Sequence, residues 1–258
     1  MLLLIKKLRR AILTGSCLGY IIMMWYPQPL IAQEQAETPL CQGNPPTGRV
    51  KCNYPNGDNY TGDFVNGRPQ GSGVYVYANR DRYEGQFRNG LPNGQGTFIF
   101  SNDARVKGVF QNGQIRSGTI TFENGDRFVG DFKLVENLSS SVISSQPTGQ
   151  GEFIYANGDR YEGEFFAGSP FGPGVFTRIN GIRCQGYFYN DALDGKGSCT
   201  YPDGIRYEGE LRGGIPHGVG AIIDTKGKRF SGVFRNGQRQ DCLIYTSPSP
   251  RDITPSRM

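Results

Sequence analysis

Histidine and tryptophan each occur once in this 258-residue chain, as His217 and Trp25. A Ser-His-Asp hydrolase would have to be built on His217, yet no Gly-x-Ser-x-Gly elbow presents a nucleophile to it. No cysteine, aspartate or second histidine stands at ligand spacing from it, so no metal is expected and His217 reads as a loop residue. Basic charge is also scarce where it would matter. Lys6, Lys7, Arg9 and Arg10 carry four of the five net positive charges, which leaves no basic footprint for nucleic acid. The hydrophobic fraction is only 36%, lean for a closed core of this length. No catalytic constellation and no cofactor site follow from this inventory.

Glycine, by contrast, is abundant, with 38 residues, and it is periodic. In Gly149 to Gly168 a strand with Phe153 and Tyr155 runs into Asn157-Gly158 and returns through Tyr161-Glu-Gly163-Glu-Phe165, the sequence form of a β-hairpin. The same pattern starts at Tyr60, Tyr83, Val106, Phe128, Tyr161, Cys184, Tyr207 and Phe230, and five of the seven steps are 23 residues. A glycine follows each start two places on, and an aromatic or leucine follows four places on. Side chains alternate along a strand, so these positions share one face. The expected core is therefore Tyr60, Phe64, Tyr83, Phe87, Phe110, Phe132, Tyr161, Phe165, Phe188, Tyr207, Leu211 and Phe234. The glycine between start and aromatic is expected to make room for a ring from the adjoining hairpin. Gly71-Ser-Gly73 and its equivalents recur in every copy, so they read as turns rather than phosphate loops.

Tyr83-Glu-Gly-Gln-Phe-Arg-Asn-Gly-Leu-Pro-Asn-Gly-Gln-Gly-Thr-Phe and Tyr207-Glu-Gly-Glu-Leu-Arg-Gly-Gly-Ile-Pro-His-Gly-Val-Gly closely resemble MORN repeats, and the match runs from about Gly48 to Gln240. Choline- and cell-wall-binding repeats are built similarly but are tryptophan-rich, and Trp25 lies before the array. The resemblance implies an all-β, elongated antiparallel hairpin solenoid, used in that family for protein assembly and membrane-proximal scaffolding. Lipid binding is also proposed for the family, without a lipid site in the motif.

Along the chain, residues 1–32 read as a signal peptide or membrane anchor: a cationic patch, an apolar run from Ala11 to Tyr26, then Pro27, Pro29 and Ala32. Residues 33–47 read as a polar linker and 48–241 as the repeat array. Residues 242–258 read as a non-native disordered tail, because Cys242 to Asp252 resembles translated sequencing adapter; the native gene is then expected to continue beyond Asp241. An exported, extracytoplasmic protein is expected, in the periplasm or envelope, secreted or held at the membrane through its N-terminal segment.

Cys184 and Cys199 occupy facing core positions of one hairpin, and Cys41 and Cys52 those of a leading partial repeat, so two local disulfides are expected in an oxidising compartment. The fourth copy carries ten extra residues within Lys133 to Thr148, read as a loop insertion and a candidate for partner contact. On the opposite strand face, Arg82/Glu84, Arg160/Glu162 and Arg206/Glu208 form a polar row. Glu162, Glu164, Glu208 and Glu210 are its candidate partner contacts, against the plainer reading of solvated charge pairs. Three functions fit: a non-enzymatic scaffold with protein partners, a module binding lipid headgroups or polysaccharide, and an accessory domain of a truncated enzyme. An array of eight two-strand repeats at ~4.8 Å per strand should extend on the order of 75 Å. Small-angle scattering is expected to show a rod of that length, and a compact sphere would exclude it.

Overall fold

The computed structural model describes residues 39–43, 47–137, 142–189 and 191–240. The stretch read as signal peptide or anchor, with Cys17 and Trp25, and the tail from Cys242 lie outside the described residues. Every described element is a β-strand. Two leading strands, β1 (Leu40–Gly43) and β2 (Gly48–Asn53), precede the repeats; β1 falls inside the stretch read as linker. Each repeat start then opens a strand: β3 (Asn59–Val65), β5 (Arg82–Arg88), β7 (Arg105–Gln111), β9 (Arg127–Asn137), β11 (Arg160–Phe166), β13 (Arg183–Tyr189), β15 (Arg206–Arg212) and β17 (Arg229–Arg235). The returning strands are β4 (Arg68–Val76), β6 (Leu91–Ile99), β8 (Gln114–Thr121), β10 (Val142–Ile154), β12 (Ser169–Thr177), β14 (Ala192–Thr200), β16 (Ile215–Ile223) and β18 (Gln238–Gln240). Each pairs antiparallel with its neighbours in sequence, which makes one 18-stranded meander.

Two turn types alternate along the meander. At one end Asn66-Gly67, with φ of 50° and 77°, forms the two-residue turn whose twist matches the flanking strands. At the other end Gly57 donates to the Tyr54 carbonyl at 3.0 Å while Tyr54 donates to the Asp58 carbonyl at 2.9 Å. Gly57 takes the left-handed place there, and Arg80 and Asp103 hold it without glycine, at φ 72° and 67°.

All twelve residues expected in the core are buried. No second layer covers them among the described residues; the rings cover one another. Tyr83 meets Phe87 of its own strand and Phe110 of the next hairpin, both edge-on at 5.1 Å, and Tyr161 meets Phe165 and Phe188 likewise. Such edge contacts are worth about 0.5–1.5 kcal/mol each beyond area burial. Tyr54, Tyr75, Tyr77, Phe98 and Phe100 form a second, partly buried row.

The ring over the glycines comes from the same hairpin, which corrects the expected neighbour. A Cβ on Gly96 would sit 2.6 Å from Tyr83 Cε2, and one on Gly85 would sit 2.7 Å from the Tyr83 hydroxyl and 2.5 Å from Gly96 Cα. Gly85 and Gly96 face each other across the hairpin, and the tyrosine lies back over the pair so that its hydroxyl donates to the Gln86 carbonyl at 3.1 Å. Tyr60, Tyr161 and Tyr207 repeat this bond to Asp63, Glu164 and Glu210. Where the start is smaller, another chain fills the space: Ile115 reaches Gly108 in the Val106 copy, and Leu193 reaches Gly186 in the Cys184 copy. Both stand where other copies have proline, as Phe110↔Ile115 and Phe188↔Leu193 match Phe87↔Pro92.

Consecutive hairpins are joined at both ends. Gly90 donates to the Pro69 carbonyl at 2.9 Å, and Gly113, Gly168, Gly214 and Gly237 repeat the link to Pro92, Pro147, Leu193 and Pro216. At the other end Asp58, Asp81, Asp126 and Asp159 each accept a backbone hydrogen bond from the next turn, at Ala78, Ser101, Ala156 and Ile179, over 2.7–2.9 Å. Ala104, Ile182 and Ile205 occupy that place elsewhere and offer no carboxylate.

The insertion differs from the expected loop. Its residues continue the ladder, from Phe132↔Pro147 through Leu134↔Ser145 to Asn137↔Val142, so it is a two-stranded arm prolonging β9 and β10. The tip, 138–141, lies outside the described residues.

Burial pushes the Tyr83 hydroxyl up to about 12 and raises those of Tyr60 and Tyr161 as well, with the Asp63 and Glu164 carboxylates adding to the effect. A phenol whose folded pKa lies above its unfolded value near 10 favours the neutral folded state. Its contribution is complete below about pH 10 and declines as pH rises towards 12, because the unfolded chain ionises first. Alkaline titration is expected to show tyrosinate absorbance rising together with loss of β-sheet signal in that window. Full ionisation with the sheet intact would contradict this core.

Candidate interaction surface

The face opposite the rings is the accessible one, and its chemistry follows the repeat. Each start is preceded by arginine in seven copies, giving a row of Arg82, Arg105, Arg127, Arg160, Arg183, Arg206 and Arg229. They stand on alternate strands, roughly 9.6 Å apart at ordinary strand spacing. Carboxylates two residues on close several of them into ion pairs. Arg82 meets Glu84 at 2.9 Å, Arg160 meets Glu152 at 2.6 Å and Glu162 at 3.4 Å, and Glu208 holds both Arg206 and Arg229, the latter at 2.9 Å. Arg229 first, then Arg206, lowers the Glu208 carboxyl below the usual range.

Of the four glutamates singled out in the sequence, Glu162 and Glu208 are thus engaged within the chain. Glu164 is half-buried and accepts from Gln150 at 3.4 Å, and Glu210 is exposed. The row is therefore largely a self-paired charged face, of the kind whose exposed pairs add little to stability. Arg105, Arg127 and Arg183 make no ion pair among the described residues.

Between β13 and β15 the arginine row dips. Arg183, Gln185, Ser198, Thr200 and Arg206 line a shallow pocket of about 200 Å³. Thr200 stands between the two arginines, facing Arg183 on one side and Arg206 on the other. Two guanidiniums, an amide and two hydroxyls make a donor-rich concavity suited to an anion.

Further along the same face lies a feature that no sequence reading singled out. Phe166, Tyr187 and Tyr189 are 59%, 51% and 60% exposed, and Phe171 contacts all three, with ring centroids 5.9, 6.0 and 5.7 Å away. Corresponding outward places in other copies hold Val65, Arg88, Gln111, Lys133, Arg212 and Arg235 for Phe166 and Tyr189, and Asp63, Gln86, Val109, Asp131, Glu164, Glu210 and Val233 for Tyr187. Phe171 sits at the irregularity after the proline, where Gln70 and Asp194 instead accept a hydrogen bond from the following turn, at Asn89 and Gly213. The signal was available: an aromatic in a place that other copies give mostly to polar groups and otherwise to valine.

Both cysteine pairs are disulfide-bonded, Cys41 to Cys52 and Cys184 to Cys199, each with Cα atoms 4.0 Å apart. They stand directly opposite one another on neighbouring strands, at a separation close to that of non-hydrogen-bonded antiparallel pairs. Among the described residues no group of histidine, cysteine, aspartate or glutamate could hold a metal ion. His217 lies on β16, half-buried, at the irregularity that Phe171 occupies in its own copy.

The sequence family described as MORN repeat matches at residues 60–82, 83–105, 144–160, 161–183, 184–206 and 207–229, a little over half of the chain. The unmatched interior holds the shortened third copy and most of the arm. No curated protein matches the chain. Among solved structures, the G-box domain of the microcephaly protein CPAP is similar at 16% identity, over 76% of this chain and 99% of that one, with a TM-score of 0.39. The wild-type TCP10 domain of Danio rerio CPAP is similar at 16% identity, over 76% and 95%, with a TM-score of 0.40. The SAS-4 (dCPAP) TCP domain of Drosophila melanogaster, solved with a proline-rich motif of Ana2 (dSTIL), follows at 12% identity, over 76% and 90%, with a TM-score of 0.32. Likeness of this size has no bearing on what the present chain binds.

Replacing Arg229 by glutamine is expected to move the titration midpoint of Glu208 upward, towards the ordinary carboxylate range, because the largest lowering influence is removed. Carboxyl-carbon NMR reads this directly, and an unmoved midpoint would mean that the Arg229 contact is not formed in solution.

Proposed function

This chain belongs to the MORN repeat family, and from that premise we propose that it is an exported, non-enzymatic scaffold that presents the outer face of its sheet to protein partners at the cell envelope. Repeat arrays of this kind are interaction modules: each hairpin packs only on its neighbours and leaves one long face for contact. The observation that carries the reading is the division of labour between the two faces. One face spends its aromatics on the fold, while the other combines an arginine row, a donor-lined pocket and an aromatic patch that the fold does not require. The two disulfides favour an oxidising, extracytoplasmic compartment. Residues 1–32 supply the export signal or membrane anchor, and the near-neutral array disfavours attraction to anionic lipid, which needs clustered lysine or arginine.

The arm of β9 and β10 is a second place for partner contact. Leu134 is 42% exposed on it, and it projects beyond the hairpin ends of the other copies. Shortening it to the ordinary repeat length is expected to leave melting unchanged, since Phe132 and Pro147 already face each other as in the regular hairpins. Affinity capture from an envelope extract, compared between the full-length and shortened forms, tests the arm. Loss of specific captured proteins supports it as a contact, and unchanged capture removes the arm but not the scaffold. Absence of any specific protein from both forms would overturn the scaffold itself.

A further inference from the structure

We infer that the outer strip of β13 binds an extended peptide segment of a partner protein, with an acidic group in the Arg183/Arg206 pocket and an apolar side chain among the rings around Phe171. This deepens the scaffold reading and rests on it. Arg183, Gln185, Tyr187 and Tyr189 alternate along one strand, so all four project from the same face. Arg183 and Tyr189 are six residues apart, or about 20 Å of extended chain. The first end of the strip supplies the Arg183 guanidinium, which makes no ion pair among the described residues, beside Arg206, which is paired with Glu208; the second supplies exposed aromatic area.

Two observations select the class of ligand. The Phe171 ring is tilted 52°, 70° and 53° from Phe166, Tyr187 and Tyr189. Rings so inclined present edges as well as faces, an uneven apolar surface against which an apolar side chain packs, and an acidic group paired with an apolar one is the chemistry of peptide side chains. The backbone of β13 is already paired on both sides, with β12 and β14, so a peptide cannot join as an added strand there. It must lie across the side chains and be read through them. Charge complementarity then sets its direction: a carboxylate accepts from the Arg183 guanidinium and from the hydroxyls of Ser198 and Thr200, with Arg206, which Glu208 already holds, at the rim. An apolar residue four to six positions away, at ~3.3–3.6 Å per residue, reaches the rings.

The probe is a display library of random peptides, about twelve residues long, panned on the full chain at physiological salt. Enriched peptides are expected to share an acidic residue separated by roughly four to six positions from an apolar one. Their affinity is expected to fall at least about tenfold in Arg183→Glu and in the Tyr187→Ser/Tyr189→Ser double variant. Arg183→Lys should retain part of it, because charge survives while the planar fork is lost. All of these positions are exposed, and unchanged melting of the variants separates lost binding from lost folding. No enrichment, enrichment without the acidic and apolar pair, or equal binding to the variants overturns the assignment. So does variant-sensitive binding of oligogalacturonate with no peptide selected. If the library selects nothing while envelope proteins are still captured by the full chain, the scaffold stands and this strip is not its contact.

Discussion

A tyrosine can lie flat along a β-sheet only where the sheet has no side chains beneath it, and this molecule is organised around that requirement. Gly85 and Gly96 face each other across one hairpin, and Tyr83 folds back over both. The arrangement brings the hydroxyl to the Gln86 carbonyl, satisfying the one polar atom of an otherwise apolar ring. It also turns the ring edge towards two phenylalanines, one of its own strand and one of the next hairpin. A single-layer sheet thereby obtains a core without a second layer. The glycine pair is consequently a spatial necessity: any Cβ there meets a ring or the facing backbone. The exceptions obey the same rule, since Ile115 and Leu193 appear where Val106 and Cys184 leave the glycines uncovered.

Much of this was legible in the sequence because it is periodic. The 23-residue step, the alternation of strand faces and the positive-φ turn residues required no tertiary information, and the core aromatics followed from them. What escaped was whatever depended on direction or on one copy alone. Period-2 reasoning places Tyr83 and Gly85 on the same face but cannot say whether the ring leans back over its own strand or across to the next. The insertion is rich in serine and reads as a loop, yet its residues have antiparallel partners and its ladder continues to Asn137↔Val142. The aromatic patch was missed for a different reason. Phe166, Tyr187 and Tyr189 sit at outward places that an averaged repeat fills with polar residues, and averaging over copies erases the positions that set one copy apart.

The same separation of common from particular divides fold from function. Contacts repeated in at least half of the copies, namely the tyrosine bond, the proline carbonyl link and the aspartate bridge, hold the sheet. Contacts found in one region only, the patch around Phe171 and the pocket between Arg183 and Arg206, contribute nothing that the other hairpins lack for stability. Glu162 and Glu208 of the charged row stand with the fold as well, because their partners lie within the chain.

The recurring links that tie each turn to the hairpin before it point one way, although the Asn93 side chain also donates forward to Asn112. Asp58 and Asp159 accept from Ala78 and Ile179, Gln70 and Asp194 accept from Asn89 and Gly213, and the proline carbonyls accept from the turn glycine that follows. In each of these the acceptor belongs to the earlier hairpin and the donor to the later one, beside a strand ladder between hairpins that exchanges bonds in both directions. A chain that emerges N-terminus first, from a ribosome or through a membrane pore, therefore offers each new hairpin a finished set of acceptors. Growth in that direction finds these turn acceptors already in place, while the strand edge it adds to offers donors and acceptors alike.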